Sequence, residues 1–96
     1  MKAVFISYNQ AYHAEILEIM GKCGLKGYTY WNETRGRGSF TGEPHLGDHA
    51  WPTLNATLLI MAKDELLPKF KKDLDALDKK SEAMGLRCFT WTIDED

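Results

Sequence analysis

The sequence lacks the features that mark several large classes of protein. It has only two cysteines, Cys23 and Cys88, which lie far apart, so neither a disulfide framework nor a cysteine-based zinc site is indicated. Each is expected to be a small, buried apolar residue. No apolar run approaches the length of a membrane span, and the first ten residues lack the apolar core of a secretory signal. A cytoplasmic protein without direct membrane insertion is therefore expected.

A surplus of basic residues is also missing. Lysine and arginine number 12 against 14 aspartate and glutamate, which gives a formal net charge of -2. Proteins that bind nucleic acid through electrostatics need a clustered basic surface, so no nucleic-acid partner is expected. The chain has no evident repeat or linker, and its 96 residues suit a single domain over 1–96. Because so short a chain buries only a modest part of its surface alone, association with further copies is favoured.

Four segments have the composition of β-strands. Alternating apolar residues predict a strand over 2–8, and aromatic and β-branched residues predict a second over 27–34. A nearly continuous apolar run predicts a third over 54–62, and 86–93 is the fourth.

Segments with helical periodicity lie between the first and second predicted strands and between the third and fourth. The first helix, capped by Asn9, is predicted to run to about Cys23, with His13 at the surface. Asp64 is predicted to cap the second helix, which Gly85 ends. The order β-α-β-β-α-β indicates an α+β, ferredoxin-like antiparallel sheet with both helices on one face. Many large apolar residues remain for the other face, so it is expected to be buried against other subunits.

The segment 35–52 interrupts this regular pattern. It contains four of the eight glycines, two of the three prolines and two of the three histidines. A loop of this length is uncommon in a small domain unless it has a function or is disordered. We therefore expect the functional residues here.

Glu43, His45, Asp48 and His49 are potential metal ligands within this segment. Imidazole and carboxylate groups suit first-row metals, and one helical turn would place the two histidines on the same side. The alternative is a polar loop whose histidines are solvated. The flanking Phe40 and Trp51 are candidate partner contacts; alternatively they fold back onto the base of the loop.

Almost the whole chain resembles signalling proteins of the PII type. The resemblance rests on the sequence GLKGYTY, Glu33, the glycine-spaced RGRG, and AKDELL at the start of the second helix. It implies a compact homotrimer with lateral clefts between subunits. It also implies a T-loop, about residues 36–52, on each subunit, and control of partner proteins that are often membrane transporters.

The resemblance also suggests a nucleotide site. Thr29 matches a residue that lines the nucleotide cleft of the family, and Gly36 and Gly38 match the glycines where the T-loop leaves the sheet. The glutamine of the family is replaced by Ser39 and Phe40, and its glycine-rich phosphate-binding loop by KKSEAMGLRCF. Ordinary ATP binding is therefore less favoured than a metal.

The preferred interpretation is a trimeric regulatory protein whose T-loop senses zinc, copper or nickel and controls a partner such as a membrane transporter. One alternative is a sensor of ATP, ADP or a cyclic nucleotide in the intersubunit cleft. Another is an interaction module without a ligand. An enzyme is not expected, because no nucleophile is evidently paired with a base.

Overall fold

Four β-strands alternate with two α-helices in the order that the sequence predicts. The computed structural model describes residues 1–36, 46–47, 54–80 and 85–94. The elements are β1 (Lys2–Asn9), α1 (His13–Lys22), β2 (Gly27–Thr34), β3 (Asn55–Ala62), α2 (Leu67–Lys79) and β4 (Arg87–Thr92). Short 3-10 turns, Gln10–Tyr12 and Asp64–Leu66, lead into the two helices.

The strands form one antiparallel sheet in the order β2-β3-β1-β4. Strand β1, one of the two central strands, pairs with β3 along its whole length, from Lys2 opposite Ala62 to Asn9 opposite Asn55. Strands β2 and β4 form the two edges. This arrangement confirms the predicted α+β, ferredoxin-like fold.

One face of the sheet packs against both helices and forms the core. Alternate residues of β1 and β3 point into it, because successive side chains of a strand lie on opposite faces. Buried apolar residues of the two helices complete it. The residues of this core that are 2% exposed or less are Val4, Ile6, Tyr8, Ile16, Met20, Ala56, Leu58, Ile60, Ala62, Phe70 and Leu74.

The ends of the helices differ in part from the prediction. Asn9 caps the turn before α1 as expected, because its Oδ1 accepts a hydrogen bond from the Ala11 N–H at 3.0 Å. The prediction that Asp64 caps α2 is wrong: Asp64 begins a 3-10 turn, and its carboxylate pairs with the Met1 amino group at 3.1 Å. Neither described helix is long and apolar enough to cross a bilayer.

α2 also ends earlier than predicted. Its last residue is Lys79, and Lys80 is the C-cap, so the prediction that Gly85 ends the helix is wrong. The Lys80 N–H bonds to the Leu77 carbonyl at 3.1 Å, which tightens the last turn into a 3-10 geometry that commonly ends a helix. Gly85 instead has a φ of +57° shortly before β4.

The other face of the sheet exposes large apolar side chains, and neither described helix packs on it. Phe5, Trp31, Met61, Phe89 and Trp91 are between 37% and 58% exposed. Strand pairing places these residues on the same side, opposite to the core. We call this surface the open face.

The long segment between β2 and β3 has a paired base. Leu46 forms an isolated antiparallel bridge with Leu54. The Leu54 carbonyl also accepts a hydrogen bond from the Gln10 N–H at 2.9 Å. The segment is thus tied to the turn that leads into α1.

Candidate ligand groove

A groove of about 530 Å³ crosses the open face where β2 ends and β4 begins. All four strands contribute to it, as do Arg35 and Gly36, the first two residues after β2. Strand pairing brings Ser7 opposite both Thr57 and Arg87, and Trp31 opposite Thr57. The groove therefore runs across the sheet rather than along one strand.

Three aromatic rings form the apolar part of the groove. Phe5 and Phe89 are directly paired between β1 and β4. Trp31 contributes from the opposite edge of the sheet and is 45% exposed. Such rings offer flat surfaces on which a planar ligand can stack.

Hydroxyl and amide groups form a polar part of the same groove. The Thr34 and Thr57 hydroxyls are hydrogen-bonded at 2.9 Å, and the Asn55 amide donates to the Ser7 hydroxyl at 3.2 Å. Asn55 and Thr57 are each only 5% exposed. Because these side chains bond to one another, they form a fixed surface under any ligand.

Two arginines give the groove a positive charge. Arg35 follows β2 and Arg87 begins β4, so the two arginines belong to opposite edges of the sheet, whose edge strands are roughly 14 Å apart at three strand spacings. The Arg87 guanidinium donates to the Leu86 carbonyl at 2.8 Å. None of the described residues that line the groove is acidic. The groove is therefore suited to an anion.

Aromatic surfaces beside guanidinium groups favour one kind of ligand. A planar ring can stack on Trp31 or Phe89, while a phosphate or carboxylate can accept two parallel hydrogen bonds from a guanidinium. Ligand sites are typically concave and mostly apolar, with a few polar groups that fix orientation. The groove has this composition.

The nucleotide-site residues predicted from the sequence are only partly brought together. Gly36 lines the groove. Thr29 lies on the open face of β2, two residues before Trp31, but is not among the residues that line the groove. Gly38 lies outside the described residues.

The predicted metal and partner residues also lie outside the described residues. These residues are Phe40, Glu43, His45, Asp48, His49 and Trp51. Within residues 1–36, 46–47, 54–80 and 85–94, no group of three or more side chains is arranged to hold a metal ion. Metal binding by this segment stays a prediction.

Most of the groove is not predicted from the sequence. Trp31, Phe5 and Phe89 are predicted to lie in strands without a ligand role, and Arg87 is given no part in holding a phosphate. Arg35 and Arg87 are 52 positions apart in the chain but share one groove. The available signal is the alternation within each strand, which places Phe5 and Phe89 on the face opposite to the core.

Comparison with other proteins identifies the fold. Neither a protein-family model nor a curated protein sequence matches the chain. Solved structures do match: CPII, a nitrogen regulatory PII-like protein from Thiomonas intermedia K12, bound to ADP, AMP and bicarbonate, superposes with a TM-score of 0.73 at 14% identity. The match covers 96% of this chain and 86% of CPII.

Two further structures agree with this result. The apo form of CPII has a TM-score of 0.69 at 13% identity, over 96% of this chain and 89% of CPII. A PII-like signalling protein from Thermus thermophilus has a TM-score of 0.64 at 19% identity, over 94% of this chain and 83% of its own. The chain therefore has the fold of PII-like signalling proteins.

Proposed function

We propose that this chain, which has the PII-like fold, is a regulatory protein that binds a small anionic ligand, preferably a nucleotide, in the groove of the open face. The observation that carries the proposal is the presence of Arg35, Arg87 and three aromatic rings in one groove. A nucleotide has both parts that such a groove recognises, a planar base and charged phosphates. CPII, bound to ADP and AMP, supports this choice of ligand.

The groove is placed to transmit binding to the long segment. Arg35 and Gly36, which line the groove, are also the first residues after β2. A ligand that contacts them stabilises one shape of the segment by its difference in affinity between shapes. A partner protein then binds that conformation in preference to others. The PII resemblance makes a membrane transporter the preferred partner.

The exposed apolar side chains of the open face support assembly into a homotrimer. Met61 and Trp91 lie outside the groove and are 41% and 47% exposed. Further copies of the chain would cover them and remove apolar area from water. The groove shares this face, so neighbouring subunits would border it.

Binding rather than catalysis is proposed for the groove. Its hydroxyl groups pair with another hydroxyl or with an amide, as in Thr34 with Thr57 and Ser7 with Asn55. Neither kind of partner activates an oxygen nucleophile as an adjacent general base would.

Isothermal titration of the full chain with ADP, AMP and ATP tests the proposal. We expect saturable binding that weakens about tenfold or more in Arg87→Ala, since a charge-assisted hydrogen bond contributes roughly 1.5–3 kcal/mol. Lys72→Ala, which removes an exposed cation from α2, is the control and should leave the affinity unchanged. Absence of binding, or equal affinity in both variants, would refute the nucleotide proposal.

The metal site in the long segment is a second proposal and is tested separately. Zinc, copper and nickel would be titrated into the chain and into a variant with His45→Ala and His49→Ala. Binding lost in that variant, with nucleotide affinity retained, would assign the metal to the segment and the nucleotide to the groove. Equal metal binding in both proteins would exclude His45 and His49 as metal ligands.

A further inference from the structure

Three rings are stacked where α1 begins. Tyr8 of β1, His13 at the start of α1 and Tyr30 of β2 have nearly parallel planes. The His13 ring lies 4.1 Å from the Tyr30 ring and 6.0 Å from the Tyr8 ring, measured between centroids. The Tyr8 hydroxyl lies 2.5 Å from Nδ1 of His13. The Tyr8 side chain is fully buried, so His13 is a principal partner of its hydroxyl.

The surroundings favour one protonation state of this pair. Burial raises the pKa of Tyr8, with smaller contributions from Tyr30 and Tyr28, so the phenol keeps its proton. Burial lowers the pKa of His13 below its ordinary value of 6.5. A neutral imidazole with its proton on Nε2 can accept the Tyr8 hydrogen bond at Nδ1. A protonated imidazole carries a hydrogen on Nδ1 and can only donate, so the Tyr8 hydroxyl would then have to accept.

The two tyrosines stacked with His13 do not titrate near neutral pH, because the pKa of each is raised. Two titratable side chains that contact His13 are Tyr8 from β1 and Tyr30 from β2. Burial also raises the pKa of Tyr30. Burial, rather than a neighbouring charge, is the cause of the lowered pKa of His13.

Hydrogen bonds connect the stack to both ends of the long segment. The Tyr30 hydroxyl donates to the Asn32 side-chain oxygen at 2.7 Å, and the Gln10 side-chain amide donates to the Asn32 carbonyl at 2.6 Å. The Gln10 N–H donates to the Leu54 carbonyl at 2.9 Å. Asn32 also lies within the irregular register between Trp31 and Thr34. The end of β2 and the residue before β3 are thus joined through Gln10.

We propose that His13 is a proton switch for the base of the long segment. Neutral His13 accepts the Tyr8 hydrogen bond and keeps the three rings stacked. Protonation reverses that hydrogen bond, because Nδ1 then donates and the Tyr8 hydroxyl must turn its own proton away. This rearrangement displaces the ring against Tyr30 and shifts Asn32 at the end of β2. This regulation by pH goes beyond ligand binding and does not depend on it.

A titration by nuclear magnetic resonance between about pH 5 and pH 8 tests the switch. The protein carries His45→Gln and His49→Gln, so that His13 is its one remaining histidine. We expect the imidazole of His13 and the backbone amides of Asn32 and Leu54 to titrate with one common midpoint below 6.5, the ordinary value. Amides that do not follow the imidazole would overturn the proposal.

Two variants of the same protein test separately the hydrogen bond between Tyr8 and His13 and the hydrogen bond from Tyr30 to Asn32. Tyr8→Phe removes the bond that favours neutral His13, so its midpoint should rise on the order of half a pH unit. Tyr30→Phe keeps the stacked ring but removes the bond to Asn32, so His13 should titrate while the shift at the Asn32 amide falls by about half or more. An unchanged Asn32 shift in Tyr30→Phe would overturn the pathway even if Tyr8→Phe does not fold.

Discussion

Among single residues, Gly47 has two constraints that exclude other residue types. Its φ is +67°, in the left-handed region that side chains with a Cβ disfavour. A Cβ at this position would lie 2.2 Å from Cδ2 and 2.8 Å from Cγ of Leu54. Leu54 is the residue that pairs with Leu46 at the base of the long segment. Gly47 therefore allows this pairing.

We predict that Gly47→Ala opens the base of the segment. The left-handed conformation costs alanine roughly 1–2 kcal/mol, and the contact with Leu54 adds about 1–3 kcal/mol. Opening exposes the Gln10 N–H, which donates to the Leu54 carbonyl. Hydrogen exchange of the Gln10 amide should accelerate about tenfold or more.

Gly24→Ala is the matched control for this prediction. Gly24 has a similar φ of +75°, but nothing lies within 4 Å of a Cβ placed there. It should therefore show the backbone cost without the steric one. Equal acceleration of Gln10 exchange in both variants would rule out the contact with Leu54 as the cause.

The surroundings of His13 show why single residues are hard to interpret from the sequence. His13 is predicted to lie at the surface, whereas it is partly buried and stacked on Tyr30. Helical periodicity gives the side of α1 on which a residue lies. It does not show which side chain of the sheet contacts that residue, because this depends on how α1 packs against the strands.

Among the elements, the turn into α1 depends on its cap. Asn9 has an extended backbone, with φ of -60° and ψ of 124°, and its side chain accepts from the Ala11 N–H. We predict that Asn9→Ala lowers the free energy of unfolding by about 1 kcal/mol, measured by urea denaturation. Asn9→Asp keeps an acceptor oxygen and should retain most of the stability. An Asp variant as unstable as the Ala variant would contradict capping as the cause.

Strand limits could be predicted more closely than helix limits. Each strand agrees with its predicted range to within one residue at either end. Strand limits follow the alternation of apolar residues, which can be seen directly in the sequence. The predictions at Asp64 and Gly85 were wrong because helix ends depend on which carbonyl each N–H meets. A 3-10 hydrogen bond lies near each end of α2: the Leu66 N–H donates to the Lys63 carbonyl, and the Lys80 N–H donates to the Leu77 carbonyl.

At the scale of the whole molecule, the open face governs the proposed assembly. We predict that Trp91→Lys converts a homotrimer into monomers, because it places a charge in a buried interface. Analytical ultracentrifugation would report the change as a mass that falls from three times the 11.0 kDa of one chain to a single chain.

Tyr28→Lys is the matched control for assembly. Tyr28 and Trp91 are each 47% exposed, but Tyr28 pairs with the core residue Ile60 and so lies on the opposite side of the sheet. Tyr28→Lys should leave the mass of the assembly unchanged. Monomers of the unaltered chain, or dissociation by both variants, would contradict an interface on the open face.

The fold could be predicted from the sequence, whereas the groove could not. The order of the elements, with the handedness of their connections, leaves few arrangements for the sheet. The groove depends on the register of all four strands, which brings Ser7 opposite Arg87 and Trp31 opposite Thr57. A shift of one residue in one strand would turn its side chains to the other face. Alternation alone does not fix that register between strands.

The central position of β1 has a consequence for how the chain folds. Its partners are distant in sequence: Lys2 pairs with Ala62 on one side and with Thr92 on the other. Such long-range pairing slows folding, because large loops must close before the strands meet. During synthesis, Val4 and Ile6 have no strand to pair with until β3 emerges from the ribosome. A strand that supplies Val4, Ile6 and Tyr8 to the native core is therefore the one that stays exposed longest in the nascent chain, where a chaperone can bind it.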